Sequence, residues 1–221
     1  MLRTKISMLS LAALVLCIGA GVSQAQTPAD VFQVNYFAGA NGARPDQTVR
    51  ITNPGTAVIP GDGTADICAN IYVFRNDQQL AECCSCLVTP NGLRTLSVDF
   101  DLTNNPLTPG TVGEGVIKIV SSLPAGGLCP NPSKRTGTGT DFGGTLAGRA
   151  YTPIPALRAW GTHNQDVSGG LQGTGVINQV TETEFLNAFL SDAELSELQV
   201  NCAFLIDQGS THGRCFCGRG D

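Results

Sequence analysis

Apolar and polar residues alternate along several short stretches of the chain, which is the pattern of half-buried β-strands. The alternation is clearest at residues 49–52 (VRIT) and 93–100 (LRTLSVDF). Turn residues separate such stretches, as in the TPNG of residues 89–92. Nine strands are predicted from alternation or from β-branched and aromatic content: 31–37, 49–52, 67–75, 80–88, 93–100, 115–122, 146–152, 156–163 and 175–183.

The pattern changes near the C-terminus, where apolar residues recur at three- and four-residue steps. Ser191 and Glu194 have the spacing of a capping box, which marks a helix start. Leu198 and Cys202 lie on the apolar stripe that follows, so a helix is predicted over 192–206 with the Cys202 sulfur facing the protein body. The predicted fold is an antiparallel β-sandwich with this one helix packed on it.

Three cysteines in four residues lie on one predicted strand. Residues 67–75 and 80–88 read as a β-hairpin with a four-residue polar turn. Side chains alternate along a strand, so Cys84 and Cys86 share one face and Cys83 takes the other. We expect a central strand between two layers, with a bridge from Cys68 to this cluster.

The N-terminus has the features of a secretory signal peptide. Arg3 and Lys5 precede an apolar run over residues 9–22, and small residues at Ser23 and Ala25 fit cleavage after Ala25. A signal at 1–25 leaves a single domain at 26–221 and removes Cys17. It predicts a secreted, periplasmic or cell-surface protein. No later segment has the length of a membrane span.

Charge narrows the choice of partners. The formal net charge is −5, and it becomes −7 once Arg3 and Lys5 leave with the signal. An acidic balance disfavours nucleic acid and anionic membranes as partners. Only 14% of the residues are charged, which predicts a neutral, polar surface.

Eight cysteines remain after cleavage, an even number in an oxidising compartment, and we expect them to form structural disulfides. The connectivity stays open, because eight cysteines allow 105 pairings. We expect Cys202 to fix the helix to the sheet, the tail to fold back beside the helix, and Cys129 to hold the base of a loop. The cysteines are Cys68, Cys83, Cys84, Cys86, Cys129, Cys202, Cys215 and Cys217.

Three segments resemble a family of exported, cysteine-rich bacterial proteins. They are ECCSCLVTPNGLRTLSVDFDLTNNPL, VTETEFLNAFLSDAELSELQVNCAFL and GSTHGRCFCG. The resemblance covers most of the mature chain. It implies export and a shared cysteine framework, and it implies no particular activity or catalytic residue.

Two other kinds of chemistry are open to the cysteines. Thiolates bind soft metals, so the cysteines near residues 83–86 and 215–217 are an alternative metal site, although their spacing is not that of structural zinc. Cys83 and Cys86 also have Cys-x-x-Cys redox spacing, but on a strand instead of at a helix start.

Candidates for hydrolysis are sparse. A nucleophile such as Ser210 needs a base, and the chain has only His163 and His212, which read as exposed polar residues. Glu182 and Glu184 face one way on a strand and are expected on a solvated face. Trp160, the only tryptophan, is expected in the core or as a strand-face anchor.

Oxygen ligands suggest one weak calcium site. Asp99, Asp101 and Asn104 end a predicted strand, but the order lacks the glycine and terminal glutamate of an EF-hand loop, so ordinary turns are favoured. The RGD at 219–221 reads as a chance tripeptide rather than an adhesion motif.

The favoured function is an exported, non-enzymatic structural or surface-interaction protein that needs no cofactor. Its partners would be further copies of itself or cell-surface material, with residues 26–37 as the candidate donor strand for assembly. The alternatives are a secreted hydrolase or carbohydrate-active domain, and an extracellular metal-binding protein.

Overall fold

The computed structural model describes residues 31–38, 46–56, 65–104, 112–124, 127–129, 132, 152–168, 176–208 and 215–217. The predicted signal peptide, most of the strand predicted at 146–152, Ser210, His212 and residues 219–221 lie outside them. Within the described residues the elements are β1 (Phe32–Ala38), β2 (Thr48–Thr52), β3 (Ile67–Arg75), β4 (Leu80–Val88), β5 (Leu93–Ser97), a π-helical turn (Val98–Leu102), β6 (Glu114–Ser122), β7 (Arg158–Ser168), β8 (Val176–Glu184), β9 (Leu186–Asn187) and α1 (Asp192–Gln208).

The strands form two antiparallel sheets. One has the order β4-β3-β6-β1-β9 and the other the order β5-β2-β7-β8. Their facing sides enclose the main core, in which Ile51 and Leu96 of the four-stranded sheet join Ile71 and Ile119 of the five-stranded sheet. The predicted fold class, mainly β with one C-terminal helix, is therefore confirmed.

Helix α1 covers the other side of the five-stranded sheet. Leu198, Cys202 and Ile206 pack there against Tyr72 and Val120 in a second core. Because β3 is covered on both sides, its residues 67–73 are all buried, as in a strand between two layers. The described residues contain no helix that is both long and apolar enough to cross a membrane.

The β3–β4 hairpin is confirmed, with a four-residue loop in which Gln78 has a φ of 69°. The register shifts once, since Val73 pairs with Glu82 and Phe74 pairs with Leu80. Ala81 is the extra residue of this β-bulge. Beyond the bulge, the alternation of β4 is unbroken through the three cysteines.

Several boundaries differ from the prediction. The strand predicted at 93–100 ends at Ser97, because the Ser97 Oγ accepts a hydrogen bond from the Phe100 N at 2.8 Å and starts the π-helical turn. The Asp101 Oδ2 accepts from the Ser97 N at 2.7 Å and fixes the turn from its other side. Strand β7 runs to Ser168 and α1 to Gln208, and the short β9 was not predicted.

One predicted position in the sheet is wrong, and the predicted donor segment is paired within the chain. Strand β4 is at the edge of its sheet, where a central strand was expected. Strand β1, the described part of the predicted donor segment 26–37, pairs with β6 along its length and with β9 at Gln33 and Val34. These residues are thus used within the chain's own sheet.

Candidate functional site

The three cysteines of β4 are divided between its two faces as their alternation predicts. Cys83 faces α1 and lies in the second core, whereas Cys84 and Cys86 face the main core between the sheets. Each is bonded to a distant cysteine, so a strained bond between Cys83 and Cys84 is avoided. This disulfide centre is the candidate functional site.

All eight predicted cysteines are paired, which indicates an oxidising environment. We call Cys83–Cys202 the helix disulfide and the pair Cys84–Cys215 and Cys86–Cys217 the tail disulfides. Their Cα–Cα distances of 5.9, 5.1 and 5.3 Å are ordinary for disulfides. The helix disulfide confirms that Cys202 fixes α1 to the sheet.

The C-terminal tail, residues 215–217, lies on the opposite face of the sheet from α1, whereas it was expected beside the helix. The tail runs in the same direction as β4, since residue 215 bonds to 84 and residue 217 to 86. The Cys215 N donates to the Cys83 O at 3.3 Å, and the Phe216 N donates to the Asp101 O at 2.9 Å. Helix α1 and the tail are therefore bonded to opposite faces of β4.

The fourth disulfide joins Cys68 to Cys129, so the expected bridge from Cys68 to the β4 cluster is wrong. Cys68 shares a strand face with Tyr72, whose Oη donates to the Pro132 O at 3.0 Å. The described residues near Cys129 are thus attached to the helix side of the sheet, away from the tail disulfides.

The sulfurs of the two tail disulfides lie close together. The Cys84 and Cys86 Sγ atoms are 4.0 Å apart, and both lie within 4.8 Å of the Cys217 Sγ. This is the one group of three potential metal ligands among the described residues. A metal ligand must be a thiolate, so these sulfurs are unsuited to bind metal while they are paired. Cys83 and Cys86, which have the Cys-x-x-Cys spacing of a redox motif, belong to two different disulfides and are not bonded to each other.

Glu82 is a buried carboxyl group that the sequence interpretation missed. It follows the bulge on the same face as Cys84, is 1% exposed, and its Oε1 has no hydrogen-bond partner. Burial raises the pKa of Glu82 from 4.5 to about 8, because desolvation penalises the charged form. The sequence signal for its burial is its spacing. Glu82 precedes Cys84 by two residues, which places both side chains on the same face of the strand.

His163 is buried within β7, so its predicted exposure is wrong. Its ring stacks on Tyr36 with centroids 4.2 Å apart, and its Nε2 is 2.7 Å from the Thr183 Oγ1. The Nδ1 is buried without a hydrogen-bond partner, and burial lowers the pKa of His163. The Asn35 Nδ2 also donates to the Thr183 Oγ1, at 3.1 Å. This imidazole therefore belongs to a polar cluster between the sheets.

The outer face of the four-stranded sheet carries Trp160 beside two ion pairs. Glu182 and Glu184 are exposed, as predicted, and they pair with Arg50 and with Arg158 respectively. Trp160 is half-buried and lies opposite Glu184 in the strand register, which makes it a strand-face residue. Since side chains alternate, His163 faces the other side of the sheet from Trp160.

The calcium candidates lie in and after the π-helical turn. The Asp101 carboxylate is buried in the π-helical turn, Asn104 is exposed, and the Asp99 N donates to the Asp46 Oδ1 at 3.1 Å. Burial and the nearby Asp46 carboxylate raise the pKa of Asp99. The described aspartates form no group of three ligands of the kind seen in the sulfur cluster.

No protein-family model matches the chain, and neither a curated protein nor a solved structure has a significant match to it. The resemblance to exported cysteine-rich proteins therefore stays an expectation.

Proposed function

We propose that the chain is an exported, non-enzymatic structural or surface-interaction protein that acts in the periplasm, on the cell surface or in the medium. The helix and tail disulfides are the observation that carries this proposal. They join one edge strand to segments 119 and 131 residues away, on both of its faces. Bonds that close long loops restrict the unfolded chain most, which suits a protein that must persist outside the cell.

Three candidate catalytic side chains from the sequence have structural positions in the described residues. His163 is buried between the sheets, and the carboxylates of Glu182 and Glu184 are in ion pairs on a sheet face. These arrangements favour a binding surface over a hydrolytic centre.

The outer face around Trp160 is the surface that favours interaction with cell-surface polysaccharide. An indole can stack on the apolar face of a sugar, and the flanking Arg and Glu groups can exchange hydrogen bonds with hydroxyls. Each ion pair joins one positive and one negative side chain, so this face has no net charge from them, which suits an uncharged polymer. This face also supports the second candidate, a carbohydrate-active domain, which an activity screen on polysaccharide and ester substrates would test.

The test uses the oxidised full chain, with size-exclusion chromatography for self-assembly and pull-down by insoluble cell-surface polysaccharide for binding. We expect the amount of protein retained by the polysaccharide to fall at least tenfold in Trp160→Ala. The matched control is Phe204→Ala, because Phe204 is exposed on α1, on the far side of the five-stranded sheet. A monomer that binds no cell-surface material would refute the proposal.

A further inference from the structure

The two tail disulfides are close enough to exchange partners. The Cys84 and Cys86 Sγ atoms are 4.0 Å apart, near van der Waals contact for sulfur. Both side chains point to the same face of β4, and the intervening Ser85 points to the other. Its Oγ donates to the Asn70 Oδ1 at 2.7 Å on that other face, so no side chain separates the two bonds along the strand.

We propose that Cys84, Cys86, Cys215 and Cys217 form a thiol–disulfide exchange centre that attaches the C-terminal tail covalently to a thiol of a partner protein. This inference rests on the proposed function, since it specifies how a surface interaction becomes covalent. It needs no oxidant or reductant, only the partner's thiolate.

The first step begins at Cys217. Cys217 is partly exposed, whereas Cys86 is fully buried, so an incoming thiolate meets the Cys217 Sγ first. A bond forms between the incoming sulfur and Cys217, the Cys86–Cys217 bond breaks, and Cys86 leaves as a thiolate. The chain now carries a mixed disulfide at Cys217.

The second step is internal. The Cys86 thiolate attacks the neighbouring Cys84 Sγ, the Cys84–Cys215 bond breaks, and Cys215 leaves as a thiolate that takes a proton from water. The products are a Cys84–Cys86 bond, a free Cys215 and the partner attached at Cys217. One incoming thiol thus opens both tail disulfides, and the number of disulfides is unchanged.

Strain in the Cys84–Cys86 bond determines which disulfide pairing is favoured at equilibrium. Residues two apart on a strand have Cα atoms about 6.6 Å apart, close to the upper limit of about 6.8 Å for a disulfide. The new bond within β4 is therefore less favourable than either tail disulfide, so the original pairing predominates unless the partner thiol is abundant, and the attachment is reversible. The helix disulfide lies on the other face of β4 and takes no part.

The experiment exposes the oxidised full chain to reduced glutathione, quenches it with an alkylating reagent and maps the cysteine peptides by mass spectrometry. We expect glutathione on Cys217, an alkylated Cys215 and a Cys84–Cys86 linkage, with Cys84–Cys215 and Cys86–Cys217 lost in equal amounts. The helix disulfide and Cys68–Cys129 should remain. The double variant Cys84→Ser/Cys215→Ser lacks the internal acceptor, so its Cys86 should be alkylated instead.

Two results would overturn the inference. One is an alkylated Cys86 in the natural chain with Cys84–Cys215 intact, because the first bond would then open without transfer. The other is glutathione attached first at any cysteine other than Cys217. The mapping requires no binding partner, so it can succeed while polysaccharide binding fails, or the reverse, and the two proposals are tested separately.

Discussion

Replacement of Glu82 by glutamine should remove a large part of the pH dependence of stability. The pKa of Glu82 rises from 4.5 to about 8 on folding. Below pH 4.5 the carboxyl is protonated in both the folded and the unfolded chain. Between pH 4.5 and 8 the unfolded chain releases the proton while the folded chain keeps it, so the free energy of unfolding falls as pH rises.

The size of this effect follows from the pKa difference. Each unit is worth about 1.4 kcal/mol, so Glu82 lowers the free energy of unfolding by about 3 kcal/mol at pH 7 and by about 5 kcal/mol above pH 8, relative to pH 4.5. Glutamine has the shape of the protonated acid and does not titrate. Glu82→Gln should therefore match the natural chain at pH 4.5, apart from a constant offset, and exceed it increasingly up to pH 8.

The assay is urea denaturation from pH 4 to 9 without reductant, which keeps the disulfides intact. The difference between the two unfolding free energies at each pH isolates Glu82 from all other titrating groups. Glu197→Gln, at an exposed carboxylate on α1, is the matched control and should leave the pH dependence unchanged. Parallel pH curves for Glu82→Gln and the natural chain would refute the reasoning.

The remaining predictions concern the disulfides and the polar cluster. Cys86→Ser/Cys217→Ser should cost about 2 kcal/mol, because the other tail disulfide still closes the long loop, and loss of both should cost about 5 kcal/mol in chemical denaturation. Gly161→Ala would place a Cβ 3.2 Å from the Asn35 Nδ2 and should lower the free energy of unfolding by about 1–2 kcal/mol; an unchanged midpoint would contradict the packing. Because burial lowers its pKa, His163 should titrate below 6.5 by NMR and reduce stability as pH falls below that value, and titration above 6.5 would contradict its burial.

The sequence predicts most elements and the faces of the β4 cysteines because both depend on local periodicity. Strands β3 and β4 begin and end where predicted, and α1 starts at its capping residue. Alternation alone assigns Cys83 to one face and Cys84 to the other. These features require no knowledge of which distant segments meet.

The features that the prediction misses depend on tertiary contacts. The pairing of Cys68 with Cys129 joins β3 to a residue outside the helices and strands, and no periodicity encodes such a contact. The early end of β5 follows from hydrogen bonds of Ser97 and Asp101, which compete with the strand. The burial of His163 reflects a second sheet over a position that reads as the end of a strand.

The separation between bonded cysteines also determines the order in which the native chain can be completed. Cys83 precedes its partner by 119 residues, and Cys84 and Cys86 precede theirs by 131. As the chain emerges N-terminus first, the three thiols of β4 have no native partner until Cys202, Cys215 and Cys217 have also emerged. Both cysteines of Cys68–Cys129 emerge earlier, so this bond can form before the other three. The β4 cysteines, by contrast, must stay unpaired, or paired with a wrong partner, while more than 100 further residues emerge.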